Sequence, residues 1–335
     1  MKSTQDPQPA RTSFRDLQGC PADRKDGISS QTAPDGDSQA TVDEFFGSSP
    51  VAGFWDDIYR EATLDGRIYQ DRKAIVLKLI EELHLPGAAR VLEIGCGAGH
   101  TTFALASQGY QITAVDSVPV MLEVTRKRLA GSDAAAKVSL VRADVRRLPM
   151  PDDSFDLAFA IGVLPWVDQH AAAAREIVRV VRPGGYVLLS ADNNPYLGEA
   201  LDPRRTPLLG PLRRFVASGL RAAGLIPTGT SETRSPKIYR HSRREFEAML
   251  SHAGLRKVDG VMVGFGPFTL LGRNLLSDSA GMKVHRVLQA AATRKLPIVS
   301  SYGMQYLVMA TKPHTSEINR ASQRPGRTRA DSAGA

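Results

Sequence analysis

A glycine-rich turn that directly follows a short apolar segment is the feature that most constrains the fold. Arg90–Ile94 has the apolar character of a strand, and Gly95, Gly97 and Gly99 follow it in the sequence VLEIGCGAG. Glycine permits a tight turn with positive φ and lets the backbone approach a ligand closely. A dinucleotide fingerprint, G-x-G-x-x-G, would place its third glycine at His100. The spacing found here therefore favours a nucleoside that carries an amino acid over a pyrophosphate.

Helices and strands alternate on both sides of this turn. Apolar residues at helical spacing predict helices, and short apolar runs predict strands. The predicted helices are Ala74–Leu83, Thr101–Gln108, Val120–Leu129, Gln169–Val181, Arg243–Ala253 and Ser277–Ala292, and the predicted strands are Arg90–Ile94, Gln111–Val115, Val138–Arg142, Phe155–Ile161, Tyr186–Ala191, Val258–Gly264 and Tyr306–Thr311. Because these strands are apolar along almost their whole length, we expect an α/β fold in which helices cover both faces of a parallel sheet.

Composition divides the chain into one domain and two tails. Residues 1–50 and 313–335 are rich in polar residues and lack apolar periodicity, which predicts disorder. Residues 51–312 are expected to form the domain. Two excursions from the alternating pattern, at about 193–240 and 269–300, are predicted to be helical cap insertions over the active-site end of the sheet. Loops that pack elsewhere are the alternative for both excursions.

Acidic residues end the second and third predicted strands. Asp116 follows Gln111–Val115, where its carboxylate can accept hydrogen bonds from the ribose hydroxyls of a nucleoside. Asp144 and Val145 follow the next strand, where a carboxylate and a backbone amide can bind an adenine ring. The alternative for each aspartate is a turn or a helix cap. Since ligands of an open parallel sheet bind at the carboxyl ends of the strands, these positions predict a nucleoside site.

Four sequence motifs occur in a fixed order. They read VLEIGCGAG, AVD, RADVRRLPMPDDSFDLAFAIGVL and RVVRPGGYVLLS. Together they resemble the class I S-adenosylmethionine-dependent methyltransferases, and most closely the ubiquinone/menaquinone-type small-molecule branch. The resemblance extends over Ile68–Ala191. It implies S-adenosylmethionine as the cofactor, and a Rossmann-like seven-stranded sheet of order 3-2-1-4-5-7-6 whose seventh strand is antiparallel.

The resemblance also implies roles for individual residues. The implied cofactor-binding residues are Glu93, Gly95, Gly97 and Gly99 in and before the turn, Asp116 for the ribose, Asp144 and Val145 for the adenine, and the backbone of Ile161 for the methionine amino group. Members of the family often close the pocket with an N-terminal segment, which here carries Trp55, Tyr59 and Tyr69. Tyr59 would then face the sulfonium in a cation–π contact. Packing against the sheet is the alternative for these aromatic residues.

The residues that act on the methyl acceptor are harder to find. Methyl transfer from a sulfonium is an in-line displacement, which requires alignment, and it requires a base only when the acceptor must lose a proton. The candidate catalytic residues are His170, Tyr239 and His241; a surface position or a helix start is the alternative for the histidines. Pro165 and Trp166 occupy the place of the family's frequent Glu-His pair. An acid–base role can therefore not be transferred from relatives to these positions.

Charge and the second half of the chain favour a small amphiphilic acceptor. The net charge is +8, and residues 201–257 hold twelve Lys or Arg against four Asp or Glu. Leu208–Leu225 predicts a basic amphipathic helix that would contact a membrane surface, with a packed cap helix as the alternative. We expect a small-molecule, lipid-like or glycan-linked acceptor, with O-methylation favoured. RNA methylation and a non-catalytic methyltransferase-fold binding protein are the competing hypotheses, although the sequence lacks a recognisable RNA-binding module.

The sequence also bears on location and on metal content. It contains two cysteines, Cys20 and Cys96, which are too few for a disulfide framework or a cysteine-rich metal site. The N-terminal residues lack the apolar stretch of a secretory signal, and no run reaches the roughly 18 apolar residues of a spanning helix. We expect a cytoplasmic protein without a bound metal, with peripheral membrane contact through Leu208–Leu225.

Overall fold

The computed structural model describes residues 38–194, 196–200, 236–270 and 273–314, together with Phe215 and Ser218. Ten strands are found in this part of the chain, which are β1 (Arg90–Ile94), β2 (Gln111–Asp116), β3 (Val138–Arg142), β4 (Phe155–Ala160), β5 (Val181–Asn193), β6 (Arg240–His241), β7 (Arg256–Val263), β8 (Thr269–Leu270), β9 (Arg273–Asn274) and β10 (Gln305–Thr311). The central sheet has the order β3-β2-β1-β4-β5-β10-β7. Strand β10 is antiparallel to both of its neighbours, and the other strands of this path are parallel. The predicted strand order and the antiparallel last strand are confirmed.

The described helices flank this sheet and precede it. They are α1 (Ser38–Gly47), α2 (Ser49–Asp57), α3 (Leu64–Glu81), α4 (His100–Ser107), α5 (Pro119–Leu129), α6 (His170–Val180), α7 (Leu197–Ala200), α8 (Arg243–His252) and α9 (Asp278–Thr293), with short 3₁₀ turns at Ile58–Arg60, Asp133–Lys137, Leu164–Trp166 and Val299–Ser301. Local sequence sets several helix starts. Thr63 caps α3 by accepting a hydrogen bond from the Gly66 amide, and Ser242 forms a capping box with Glu245 at α8.

The sheet has an apolar layer on each face. Leu92 and Ile94 of β1 belong to one cluster of buried side chains, and Val91 belongs to the other. Successive residues of a strand point to opposite faces, so a strand that is apolar throughout must be covered on both sides. This explains why near-continuous apolar runs, rather than alternating ones, predicted the parallel strands correctly.

Strand β5 begins earlier than the sequence predicted. Pro183, Gly184 and Gly185 were expected to separate a helix from the strand, but they lie within Val181–Asn193. The pairing of β4 with β5 shifts register between Phe155 and Leu157 at this point. A register shift of this kind accommodates a proline and a positive-φ glycine inside a strand, because the ladder is already interrupted there.

The N-terminal prediction needs correction. Disorder was expected for residues 1–50, but residues 38–47 form α1 and α2 begins at Ser49. Val42 is buried, and Phe46 packs with Ala52, Val118 and Met121. This helix was not predicted because the segment is mostly polar, and Phe46, one of its few apolar residues, packs against Val118 and Met121, which are distant in the sequence. Residues 1–37 and 315–335 lie outside the described residues.

The described residues cover little of the first predicted cap insertion and most of the second. In the first, most of the predicted helix Leu208–Leu225 lies outside the described residues, and Phe215 and Ser218 within it are helical. In the second, α9 packs beside α3 and the end of β7. The Gln289 side chain accepts a hydrogen bond from the Gly264 amide and donates one to the Met262 carbonyl. A role for either insertion as a cap stays a prediction.

Candidate functional site

The glycine-rich turn lies at the carboxyl edge of the sheet, which is the edge where β1 to β5 and β7 end. Gly95, Gly97 and Gly99 all have positive φ, at 68°, 54° and 73°. A Cβ added at Gly95 would come 2.3 Å from Cγ2 of Val163, and one at Gly99 would come 2.7 Å from the Thr125 side chain. A Cβ at Gly97 would meet nothing within 4 Å. Packing therefore requires two of the three glycines, whereas the third faces open space that a ligand can occupy.

Asp116 fixes the position of this turn. Its buried carboxylate accepts hydrogen bonds from the Gly97 amide at 2.9 Å and from the Val118 amide at 3.0 Å. Burial raises the pKa of Asp116 to about 6. Asp116 therefore caps the turn, as the alternative interpretation of this residue predicted. Each carboxylate oxygen has a second lone-pair site, so the same group can also accept hydrogen bonds from ribose hydroxyls.

Asp144 lies at the next strand end and is held by a residue that the sequence did not single out. Its carboxylate accepts hydrogen bonds from the Arg146 backbone amide at 2.8 Å and from Arg146 Nη2 at 2.6 Å. The same guanidinium contacts Asp168 at 3.0 Å. Val145 is buried beside this pair. Arg146 therefore connects the end of β3 to the loop after β4, and it sets the orientation of the predicted adenine-binding carboxylate.

Glu93 is a buried acid at the start of the turn. Its Oε2 accepts a hydrogen bond of 2.5 Å from the Thr102 hydroxyl of α4. Burial raises the pKa of Glu93 to about 8, with the nearby Asp116 adding to the effect. The side chain is therefore largely neutral near pH 7, which reduces the negative charge beneath the turn.

The end of α2 and the 3₁₀ turn that follows it contact the glycine-rich turn and the start of α4. The ring of Tyr59 lies 4.4 Å from the His100 ring. Arg128 donates to the Ala98 carbonyl at 2.6 Å and forms an ion pair with Asp56. Burial and the Arg128 charge lower the pKa of His100 to about 4, so this imidazole is neutral. These contacts hold Tyr59, a predicted cofactor-binding residue, directly over the start of α4.

A buried arginine joins Tyr59 to the start of β10. Arg72 of α3 donates hydrogen bonds of 2.9 Å to the Tyr59 hydroxyl and of 2.9 Å to the Gln305 side chain. A Cβ at Gly162 would lie 3.5 Å from Arg72 Nη1. The guanidinium therefore lies at the end of β4, next to the predicted site of Ile161. Arg72 could not be identified from the sequence, because an arginine on an amphipathic helix is most often solvated.

Helix α1 reaches the same edge of the sheet. The Ser117 hydroxyl donates to the Asp43 carboxylate at 2.9 Å. The rings of Phe45 and Phe46 lie 6.1 Å and 4.9 Å from the Trp166 ring. The N-terminal segment thus lies over the ends of β2 and β4, where the nucleoside is expected.

The three candidate catalytic residues form one cluster. The His170 ring lies 5.0 Å from the Tyr239 ring and 4.6 Å from the His241 ring. Strand β6, which was not predicted, produces this arrangement by pairing His241 with Asn193 at the end of β5. The Tyr239 amide donates to the Pro165 carbonyl at 2.7 Å. The cluster lies beyond the ends of β4 and β5, beside the expected cofactor site.

Burial controls the charge of this cluster. It lowers the pKa of His170 to about 4 and also lowers the pKa of His241, and it raises the pKa of Tyr239. All three groups are therefore neutral near pH 7. His170 Nε2 lies 3.2 Å from the Leu164 carbonyl, which can only accept a hydrogen bond. The neutral ring carries its proton on Nε2, and Nδ1 is left as a hydrogen-bond acceptor.

The described residues contain neither a metal-binding cluster nor a helix that could cross a membrane. Within residues 38–194, 196–200, 236–270 and 273–314, no group of three or more His, Cys, Asp or Glu side chains is arranged to hold a metal ion. In the same ranges, no helix combines the length and apolar character needed to cross a membrane.

Comparison with known proteins points to one enzyme class. Residues 92–189 match the family model described as "Methyltransferase domain". The demethylmenaquinone methyltransferase of Clavibacter sepedonicus is 38% identical over 106 residues, which are 32% of this chain and 42% of that protein. The 2-methyl-6-phytyl-1,4-hydroquinone methyltransferase of a Synechocystis strain is 31% identical over 157 residues, covering 42% and 48% of the two chains. The chain spans about half the length of the curated relatives it matches.

A solved structure shows the same fold. Magnesium protoporphyrin IX methyltransferase from Synechocystis PCC 6803, crystallised with bound SAH, superposes with a TM-score of 0.52. The two sequences are 15% identical, and the match covers 82% of this chain and 100% of that chain. At this identity the likeness is evidence for the fold and for nothing finer.

Proposed function

We propose that this chain, whose residues 92–189 match a methyltransferase domain, is a class I S-adenosylmethionine-dependent methyltransferase that transfers a methyl group to a small-molecule acceptor. One observation carries the proposal. The open space above Gly97 lies beside the buried carboxylate of Asp116, at the carboxyl edge of a parallel sheet. A nucleoside needs both a close backbone approach and an acceptor for its ribose hydroxyls, and this arrangement offers both.

The charges of the site suit the cofactor. When bound, S-adenosylmethionine supplies a methyl group made electrophilic by a sulfonium. Asp116 would bind the ribose, and Asp144 and Val145 would bind the adenine. Arg72 has hydrogen bonds to two neutral side chains and lies beside Gly162, so we assign it the carboxylate of the methionine moiety. A buried guanidinium is stabilised when it meets a carboxylate of this kind.

Backbone groups complete this binding site. The turn from Gly95 to Gly99 and the backbone of Ile161 would line the amino-acid part of the cofactor. Glu93 lies beneath the turn, where its raised pKa keeps it largely neutral. Tyr59, fixed by Arg72 and by the His100 ring, would cover the sulfonium side of the site.

The acceptor is assigned to the space beyond β4 and β5. His170 Nδ1 is a neutral acceptor there, with His241 and Tyr239 beside it. An acceptor hydroxyl would donate a hydrogen bond to His170 Nδ1. It would lose its proton to that nitrogen as the new oxygen–carbon bond forms and the carbon–sulfur bond breaks. A neutral imidazole at this place is consistent with O-methylation, since a hydroxyl acceptor must lose its proton when it is methylated.

Aromatic and apolar side chains near this space support an amphiphilic acceptor. Trp166, which packs against Phe45 and Phe46, lies on the loop that ends at His170. The names of two relatives, a demethylmenaquinone and a phytyl-hydroquinone methyltransferase, refer to lipid-like acceptors. We therefore place the acceptor in the small-molecule, lipid-like or glycan-linked class.

Two measurements test the proposal. Calorimetric titration of the full chain with S-adenosylmethionine should show saturable binding, and its absence would refute the cofactor assignment. Incubation of the chain with methyl-labelled cofactor and a total small-molecule and lipid extract should give a labelled product that mass spectrometry identifies.

The catalytic assignment has a matched control. His170→Asn should slow product formation by about 100-fold or more, the lower end of the contribution of a general base, without changing cofactor affinity. His252→Asn alters an exposed histidine at the end of α8 and should leave the rate unchanged. Equal rates for the two variants would remove His170 from the reaction.

A further inference from the structure

Helix α9 has one face packed on the protein and one face that meets solvent. His285, Gln289 and Ala292 lie on the packed face and are buried. Lys283, Val287, Ala290 and Arg294 recur at spacings of three and four residues, so they form one outward stripe. Val287 is 70% exposed, although an apolar residue near the middle of a helix is usually covered.

The loop that follows α9 continues this apolar surface. The Leu296 amide donates a hydrogen bond to the Ala291 carbonyl at 3.1 Å. This bond turns the loop back toward the last turn of α9, since Ala291 lies one helical turn after Val287. Leu296 is 48% exposed and Ile298 is 76% exposed. Ile298 has φ of 70°, a conformation that a β-branched residue rarely adopts because it strains the backbone. A strained backbone thus holds a large apolar side chain in solvent.

Positive charges lie among these apolar residues. Lys283, Arg286 and Arg294 form no salt bridge with any acidic residue in the part of the chain that the structure describes. Lys295 pairs with Asp259 of β7. The single acidic residue of α9 is Asp278, at its first position, away from Val287 and Arg294. The outward surface is therefore both apolar and basic.

We propose that the outward stripe of α9 and residues 294–298 form a docking surface for an anionic lipid bilayer. An interfacial helix of this kind buries its apolar side chains at the level of the head groups, and its cations are attracted to anionic lipids. A second copy of the chain is a poorer fit. A two-fold contact would place the same cations of α9 opposite one another without an acidic partner. The inference is independent of the proposed catalytic activity, and it concerns other residues than Leu208–Leu225.

Vesicle co-sedimentation of the full chain tests this proposal. The vesicles contain phosphatidylcholine alone, or phosphatidylcholine with about 30% phosphatidylglycerol, at low and at high salt. We expect binding to the anionic vesicles that weakens at high salt, and little binding to the neutral ones. Absence of binding to the anionic vesicles overturns the proposal.

Three variants locate the surface. Binding should weaken about tenfold or more in Lys283→Glu with Arg294→Glu, because two cations that anionic lipids attract are replaced by acids. It should weaken to a similar extent in Val287→Ser with Ile298→Asn, because apolar side chains that would be buried among the head groups are lost. Val258→Ser alters a 55% exposed valine on the edge strand β7 and should bind as the unaltered chain does. Retained binding in both double variants would place the membrane contact elsewhere and overturn the proposal. Light scattering that shows a dimer in the unaltered chain and a monomer in the double variants would overturn it in favour of self-association.

Discussion

A matched pair of glycine substitutions separates ligand binding from backbone strain. Gly97 and Gly131 both have positive φ, at 54° and 74°, and a Cβ at either position would meet nothing within 4 Å. Alanine in the left-handed region costs about 1–2 kcal/mol, so Gly97→Ala and Gly131→Ala should lower the free energy of unfolding by similar amounts. Gly131 follows α5 at the opposite edge of the sheet from the turn, and it therefore serves as the control.

The two variants should differ in cofactor affinity. The Cβ of Gly97→Ala would fill the space that we assign to S-adenosylmethionine, and we expect its dissociation constant to rise at least about tenfold, which corresponds to about 1.4 kcal/mol. The dissociation constant of Gly131→Ala should stay unchanged. Urea unfolding measures the free energy of unfolding of each variant, and titration calorimetry measures the dissociation constant of the cofactor. If both variants bound the cofactor equally well, the space above Gly97 would not be the cofactor site.

Two further predictions concern buried charged groups. Arg72→Met should weaken binding of S-adenosylhomocysteine at least about tenfold, because a carboxylate loses its charged partner. Binding of 5′-methylthioadenosine, which lacks the amino-acid group, should change little; an equal loss for both ligands would assign Arg72 to folding alone. The folded-state pKa of Glu93, about 8, lies above its ordinary value of 4.5, so the contribution of Glu93 to stability is fully present below about pH 4.5 and is lost as the pH rises to about 8. Glu93→Gln should remove this fall in the free energy of unfolding, measured by urea unfolding between about pH 5 and 8, and an unchanged slope would show that Glu93 is ionised when folded.

The sheet could be predicted because its information is local. The apolar run of each strand and the glycine-rich turn are contained in short stretches of sequence, and the order of strands follows from the family that these motifs resemble. Helix α1 could not be predicted in the same way. The rings of Phe45 and Phe46 both contact Trp166, about a third of the chain away, and no local pattern encodes that contact.

The candidate site divides along the same line. Asp116 and Gly97 follow directly from strand ends and turn chemistry. His170 and His241 were each identified as candidates, but their 4.6 Å approach depends on a two-residue strand that pairs with the end of β5. Arg72 was missed, because its burial comes from contacts with Tyr59 and Gln305 that only the folded chain brings together.

Burial gives the two sides of the candidate site different charges, with acids near β1 and β2 and neutral imidazoles near β4 and β5. On the β1 and β2 side, burial raises the pKa values of Glu93 and Asp116, so a bound cation would stabilise the ionised form of each. On the β4 and β5 side, burial lowers the pKa values of His170 and His241, so these rings stay neutral and do not repel a neighbouring sulfonium. A cation can thus be held by acids on one side while a neutral base faces the acceptor on the other. This charge distribution supports the proposal that the sulfonium lies between the acids at the ends of β1 and β2 and an acceptor beyond β4 and β5.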